Sequence, residues 1–144
     1  MYDTIVVGTD GSDTAAKAVE HAVTLAALTG AHLHIAMVTP PIPMLVAPDM
    51  VIATADWHTA NDQATRATID AAAERAAAAG VDASRYQLSG DPADALLSLC
   101  DDVDADLLVV GSRGMHGAKR FLLGSVSSRC AHHADHSVLI VHTD

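Results

Sequence analysis

Four short runs of apolar, mostly β-branched residues recur along the chain and constrain its fold more than any other feature. They read TIVV (4–7), HLHIAMV (32–38), DLLVV (106–110) and SVLIV (137–141), each with Gly, Asp, Pro or Ser within two residues. Runs that are apolar at nearly every position are typical of strands covered on both faces, as in a parallel sheet. RYQLS (85–89) is a fifth, weaker strand candidate.

Helical patterns fill the segments between these runs. Residues 13–29 place small apolar side chains on one face and polar ones on the other, and Gly30 ends the pattern. In GDPADALLSLCDDV, Asp91 suits the N-cap and Pro92 the first helical position. The alternation predicts one doubly wound α/β domain over residues 1–144, with right-handed crossovers. The other two predicted helices cover residues 57–79 and 124–134.

The connection after the second strand is unusually long. Residues 39–56 read TPPIPMLVAPDMVIATAD, with four prolines among many apolar side chains. Connections of this length in a compact domain are often functional. The sequence leaves open an apolar flap that covers a helix, a lid over a site, or a partner surface.

The charge of the chain is strongly negative except in one stretch. Asp and Glu number 18 against 8 Lys and Arg, for a net charge of −10. Such a field repels nucleic acid and anionic membranes, so we expect neither as a partner. Yet residues 111–129 contain four cations and no carboxylate: Arg113, Lys119, Arg120 and Arg129. The local cluster favours a small anion as the ligand.

The cysteines and histidines do not follow a metal-binding pattern. Cys100 and Cys130 lie thirty residues apart inside predicted helices, which favours reduced packing thiols in a cytoplasmic protein. The N-terminus shows no secretory signal, and no apolar run approaches the length that spans a bilayer. His132 and His133 are neighbours and point about 100° apart on a helix, so with His136 we expect a surface cluster and no metal site.

The most informative stretch is GSRGMHGAKRFLLGS (111–125), called the glycine loop below. It leaves the end of a predicted strand and enters the N-terminus of a helix, where unpaired N–H groups favour phosphate. Glycines there allow the backbone to approach phosphate oxygens. A Walker A loop is absent, because Gly124-Ser125 lacks the preceding pattern and a lysine, and G-x-G-x-x-G is absent after the first strand.

The spacing of the glycine loop makes a family resemblance specific. Gly111, Gly114, Gly124 and Ser125 follow the pattern glycine, two residues, glycine, nine residues, glycine, serine. The chain resembles the universal stress protein family, in its nucleotide-binding subclass, and IVVGTDGS, GDPADALL, LLGSVS and VLIV extend the resemblance over nearly the whole chain. The resemblance implies an open five-stranded parallel sheet in the order 3-2-1-4-5, with helices on both faces. It also implies ATP, with or without Mg or Mn, between the first and fourth strands.

The resemblance further implies the residues that bind the nucleotide. Asp10 would bind the ribose hydroxyls, although an N-cap role is the alternative, and Ser12 is a second capping candidate. Val38 would meet the adenine edge through its backbone. The phosphates would be held by Gly111, Gly114, Gly124, Ser125 and Val126. Three further candidates lie beside these positions: Thr9, Arg113 and Met115.

The expected function is a stress-response binding module that holds ATP, with at most slow hydrolysis or autophosphorylation. The glycine loop has no carboxylate, and His116 is its one candidate base near neutral pH. A module for cyclic AMP or AMP is an alternative with the same fold. An adenylating enzyme of the pyrophosphatase-loop type is another, since GTDGSD loosely resembles that loop, and an apo scaffold is a third.

The sequence of the last predicted strand indicates that the chain pairs with a second copy of itself. Val138, Leu139, Ile140 and Val141 form an apolar strand, and in the order 3-2-1-4-5 this strand lies at a sheet edge. Exposed edges of this kind invite pairing with another chain. We therefore expect an antiparallel, two-fold homodimer, which the resemblance also implies. Family members often have Cys-Pro where this chain has His136-Ser137.

Overall fold

The structure, a computed structural model, describes residues 1–39, 51–113 and 123–142, and for 51–61 it describes the backbone only. Within these ranges strands and helices alternate without exception, as the spacing of the apolar runs predicts. Their bounds are β1 Thr4–Thr9, α1 Asp13–Thr29, β2 His32–Thr39, α2 Val51–Ala78, β3 Ala83–Ser89, α3 Pro92–Asp102, β4 Leu107–Gly111, α4 Ser125–His133 and β5 Ser137–Val141.

The five strands form one parallel sheet in the order β3-β2-β1-β4-β5, which confirms the predicted fold class. The chain builds outward from β1 through β2 to β3 and then returns to the other side of β1 with β4. The carboxyl ends of β1 and β4 therefore flank the point where the strand order reverses. Open α/β sheets bind ligands in the crevice at such a point.

Both faces of the sheet are covered, which is why the central strands are apolar at successive positions. Ile5 and Val7 pack with α1 and α2 in one core cluster, whereas Val6 packs with α3 and Cys130 of α4 in the other. The side of α1 that meets the sheet consists of small residues, so the helix lies close to it. These buried residues are Ala15, Ala18, Val19, Ala22, Val23 and Ala26.

The boundary that differs most from the sequence prediction is the start of α2. The second helix begins at Val51 and not at residue 57, so the last six residues of the predicted connection are helical. No Gly or Pro occurs between residues 49 and 79 to interrupt a helix, although β-branched Val51 and Ile52 are weak helix formers. The remainder of the connection, residues 40–50, lies outside the described residues.

The two cysteines are buried packing residues in the α3–α4 side of the core. Cys100 and Cys130 are 1% and 0% exposed, and neither forms a disulfide. Burial raises the pKa of the Cys100 thiol to about 12, and burial also raises that of Cys130. Both side chains are therefore protonated thiols near neutral pH. No helix in the described part of the chain combines the length and hydropathy needed to cross a membrane.

Candidate functional site

Two loops meet at the carboxyl ends of β1 and β4. Residues 10–12 connect β1 to α1, and Ser112 and Arg113 follow β4. The Thr14 hydroxyl, in the first turn of α1, donates a hydrogen bond to the Arg113 carbonyl at 3.2 Å. This bond joins residues 99 positions apart and fixes the two walls of the crevice to each other.

Asp10 is half-buried and held by the loop in which it lies. Its Oδ1 accepts the Ser12 backbone N–H at 2.9 Å and also the Ser12 hydroxyl. Ser12 is the N-cap of α1, since its Oγ accepts the Ala15 N–H at 3.2 Å. The two hydrogen bonds from Ser12 hold the Asp10 carboxylate against the start of α1. Gly11, between the two, has φ of 81°, a left-handed conformation that favours glycine.

The β4 side of the crevice is held to the start of α4 by buried hydrogen bonds. The Gly124 N–H donates to the Ser112 carbonyl at 2.8 Å. The Ser127 hydroxyl lies 3.0 Å from the Gly124 carbonyl and 3.4 Å from that of Ser112. Ser112 and Ser127 are only 4% and 2% exposed. The N-terminus of α4 is therefore fixed beside the end of β4.

Serine is a preferred N-cap residue, so the sequence favours Ser125 at the N-cap of this helix, but that prediction is wrong. Gly124 is the N-cap, with ψ of 159°, and Ser125 is the first helical residue. Gly124 is extended, and its N–H is bonded to the Ser112 carbonyl. As a glycine it has no side chain that could accept a hydrogen bond from the first turn of α4. Since the first N–H groups of a helix have no partner within it, those of Ser125 and Val126 suit an anion.

The remaining predicted residues differ in where they lie. Thr9 is buried at the end of β1, and its Oγ1 accepts the Gly11 N–H at 3.2 Å. Val38 is the penultimate residue of β2, because β2 continues to Thr39. It lies one strand away from the crevice, since β2 is the neighbour of β1. Gly111 ends β4, where a Cβ would lie 3.4 Å from the Arg113 carbonyl oxygen. Gly114 and Met115 lie outside the described residues.

Arg129 belongs to the basic stretch but does not add to the charge at the crevice. Its guanidinium binds two carboxylates at the start of α3, Asp91 at 2.7 Å and Asp94 at 2.8 Å. The Asp94 N–H and then Arg129 lower the pKa of Asp91. This contact holds α4 against α3. Lys119 and Arg120 lie outside the described residues.

A cavity of about 210 Å³ opens beside the same loop, on the face of the sheet that α1 and α2 cover. Small side chains form most of its wall, with Thr9, Ser12 and Thr68 supplying hydroxyls and Arg75 a cation. No residue of β4 or α4 lines it. It shares Gly11 and Ser12 with the crevice between β1 and β4 but extends from them toward α2 and away from β4.

Comparison with known proteins decides the family. The model of the universal stress protein family matches residues 1–142. The chain belongs to this family. A universal stress protein of Mycobacterium tuberculosis is 36% identical over 146 residues, which cover 99% of this chain and 97% of that protein.

Solved structures of universal stress proteins share the fold. One, crystallised in complex with cAMP, is 39% identical and has a TM-score of 0.77, covering 99% of this chain and 98% of the other. Another, from Archaeoglobus fulgidus in complex with dAMP, is 24% identical with a TM-score of 0.68, covering 96% and 97%. The second likeness supports the fold alone.

Two residues of this universal stress protein domain that position the site were not predicted from the sequence. Thr14 and Ser127 each lie in the first turn of a helix, where a hydroxyl can bond a backbone carbonyl. The acceptor is Arg113, in the loop after β4, for Thr14, and Gly124, directly before α4, for Ser127. Their position in the first turn was the available signal. Within the described residues, no group of three or more His, Cys, Asp or Glu side chains could hold a metal ion.

Replacing Thr14 with alanine should weaken binding of an adenine nucleotide roughly 3- to 10-fold, the value of one hydrogen bond of about 0.5–1.5 kcal/mol. The variant loses the bond that joins the two walls and also the 2.9 Å contact of the Thr14 hydroxyl with the Ser12 hydroxyl. Thr14→Ser keeps the hydroxyl and should bind like the wild type, whereas Thr14→Val keeps the shape and should bind like Thr14→Ala. Calorimetric titration measures all three. Equal affinities for the Val variant and the wild type would show that the bond has no role in the site.

Proposed function

We propose that this universal stress protein is a binding module for ATP, held in the crevice between the carboxyl ends of β1 and β4. The observation that carries the proposal is the start of α4, whose first turn lacks a side-chain cap and is fixed against Ser112. A helix N-terminus with accessible N–H groups and glycine on its approach is suited to phosphate. Ser125 is exposed and Val126 half-buried at this position.

Each predicted residue has a role in this proposal. Asp10 binds the ribose hydroxyls from the end of β1, where hydrogen bonds from Ser12 hold its carboxylate in a defined position. The backbone of Val38 meets the adenine edge. The phosphates lie against the backbone of Gly111, Gly114, Gly124, Ser125 and Val126, with Thr9, Arg113 and Met115 as neighbours. Mg or Mn would accompany the phosphates and would not need a protein ligand cluster.

Cyclic AMP or AMP is the second candidate, because a relative 39% identical to this chain was crystallised with cAMP. The adenine and ribose contacts would be the same for all three nucleotides. ATP is favoured by the extent of the glycine loop, fifteen residues with three cations and no carboxylate, which suits several phosphates better than one. The proposed ligand class is therefore an adenine nucleotide. The number of phosphate groups on that nucleotide is the property to be tested.

Competition titration distinguishes these ligands. A fluorescent ATP analogue is bound to the purified protein and displaced with ATP, AMP or cyclic AMP, with and without Mg²⁺ or Mn²⁺. ATP should displace the analogue at a concentration at least about tenfold lower than cyclic AMP, a difference of about 1.4 kcal/mol. Stronger displacement by cyclic AMP would reassign the module to cyclic AMP, and no displacement by any of the three would refute the proposal.

We propose no catalytic residue for this site. The Asp10 carboxylate, in the described part of the crevice, accepts hydrogen bonds from Ser12 through its Oδ1. Slow hydrolysis or autophosphorylation remains a prediction that a phosphate-release assay checks. An adenylating activity would release pyrophosphate. We also propose that the module works in the cytoplasm and reports nucleotide state to partner proteins as a homodimer through β5.

A further inference from the structure

A carboxylate, an imidazole and a hydroxyl lie in series at the opposite end of the sheet from the proposed nucleotide site. The Asp82 Oδ2 is 3.3 Å from the Nδ1 of His32. The Nε2 of the same ring is 2.8 Å from the Ser84 Oγ. The order Asp, His Nδ1, His Nε2, Ser is the arrangement that serine hydrolases use on several unrelated folds.

The pairing of β2 with β3 places these side chains. His32 and His34 are two residues apart on β2 and so lie on one face, and Ser84 is the register partner of His34. The Leu33 N–H bonds the Asp82 carbonyl at 3.0 Å, which fixes the residue before β3 next to His32. The groups stand on or directly beside strands, which hold side chains more rigidly than loops do.

We propose that Ser84 is a nucleophile toward small carboxylic esters, with His32 as its general base and Asp82 orienting the imidazole. The Ser84 oxygen bonds the ester carbonyl carbon while His32 Nε2 takes the hydroxyl proton. The bond from the carbonyl carbon to the leaving oxygen then breaks, and His32 returns the proton to that oxygen. Water repeats the sequence on the acyl-serine, which releases a carboxylic acid and restores Ser84.

The edge position of β3 supplies a donor for the developing negative charge. In the described part of the chain β3 pairs with β2 alone. Since Leu33 bonds the Asp82 carbonyl, the alternation of a parallel ladder directs the N–H groups of Ser84 and Tyr86 toward β2 and that of Arg85 to the open edge. An unpaired N–H that follows the nucleophile is the donor that α/β-hydrolases use for the oxyanion.

The surface next to Ser84 suits an aromatic or short acyl group. The His34 and Tyr86 rings lie 5.5 Å apart on this face, and the His34 Nδ1 is 3.0 Å from the Tyr86 hydroxyl. Burial and the adjacent His32 lower the pKa of His34, so this ring is neutral near pH 7. The two rings, tilted by 40° to each other, offer an acyl group an aromatic surface beside Ser84, and the ester carbonyl can approach from the open edge.

The exposures of His32 and Asp82 predict that the two residues contribute unequally to the reaction. The His32 side chain is 35% exposed, but that of Asp82 is 92% exposed. Water therefore competes for the Asp82 carboxylate, and we expect Asp82→Asn to slow acylation less than about tenfold. His32→Asn removes the base and should slow it at least about 100-fold, the lower end for general-base catalysis.

The test uses the full chain with a biotinylated fluorophosphonate and with p-nitrophenyl acetate as probes. We expect mass spectrometry to locate the phosphonyl group on Ser84, and we expect Ser84→Ala to lose both the label and ester hydrolysis above the buffer rate. Ser98→Ala, at an exposed serine of α3, is the matched control and should keep both. A circular dichroism spectrum and melting temperature like those of the wild type would show that Ser84→Ala is folded. Label on another residue, no label, or undiminished hydrolysis by Ser84→Ala would overturn the proposal.

Discussion

Replacing Gly124 with valine should lower the affinity for ATP at least about 100-fold, which corresponds to about 2.7 kcal/mol. A Cβ at this position would lie 3.3 Å from the Ser112 carbonyl oxygen and 3.5 Å from the Arg113 Cα. Both contacts are with backbone, which cannot rotate away. The two further methyl groups of valine would separate α4 from the end of β4 and move the N–H groups proposed to bind phosphate.

Alanine at the same position provides a graded comparison. The φ of Gly124 is −60°, so a side chain is permitted by the backbone and only the space is restricted. We expect Gly124→Ala to bind ATP with an affinity between those of the valine variant and the wild type. Gly80→Ala is the control, since its Cβ would meet nothing within 4 Å and only its φ of 73° is unfavourable. It should lose stability but not affinity.

Calorimetric titration of the four proteins with ATP, together with their melting temperatures, separates binding from folding. Affinity within threefold of the wild type for a folded Gly124→Val variant would mean that the phosphates do not lie at the start of α4.

Replacing Ile140 with proline should convert the proposed homodimer into a folded monomer. The Ser112 N–H bonds the Val141 carbonyl at 2.8 Å, and Gly111 pairs with Val141 in the parallel ladder. The alternation of that ladder directs the N–H groups of Leu139 and Val141 to β4, and those of Val138 and Ile140 to the open edge. Proline at 140 therefore removes a donor that a partner strand would use, and edge strands tolerate proline.

Leu139→Pro is the matched control in the same strand. Its N–H is directed into the ladder with β4, so proline there removes a hydrogen bond of the sheet and should unfold or aggregate the protein. Light scattering of the wild type at micromolar concentration should give twice the chain mass of 14.9 kDa, and the Ile140 variant should give one chain mass with an unchanged circular dichroism spectrum. A monomeric wild type, or a dimeric Ile140→Pro variant, would contradict the β5 interface.

Local signals in the sequence predicted most of the fold. The β-branched runs could be predicted as strands because both faces of a parallel sheet are buried. Asp91 and Pro92 could be predicted as the start of α3 because helix capping depends on residues that are neighbours in the sequence. The start of α2 was missed because Val51 and Ile52 resemble a strand or loop locally, and helix formation there continues from the Ala-rich residues that follow.

Only those parts of the site whose residues lie close together in the sequence could be predicted. The glycine loop and Asp10 were found from short patterns, with the family resemblance supplying their roles. Thr14 was missed because its partner is 99 residues away, and the series from Asp82 through His32 to Ser84 depends on the pairing of two strands 52 residues apart. Such contacts exist only after the sheet has formed.

The most direct test of ATP binding between β1 and β4 is an NMR titration of ¹⁵N-labelled protein with ATP. We expect saturable amide shifts concentrated at residues 10–12, 111–113 and 124–126, the segments that meet at the crevice. Absence of shifts at millimolar ATP would contradict the proposed ligand. Shifts confined to Thr68 and Arg75 would place the nucleotide in the cavity between α1 and α2, and that result would contradict the proposed site.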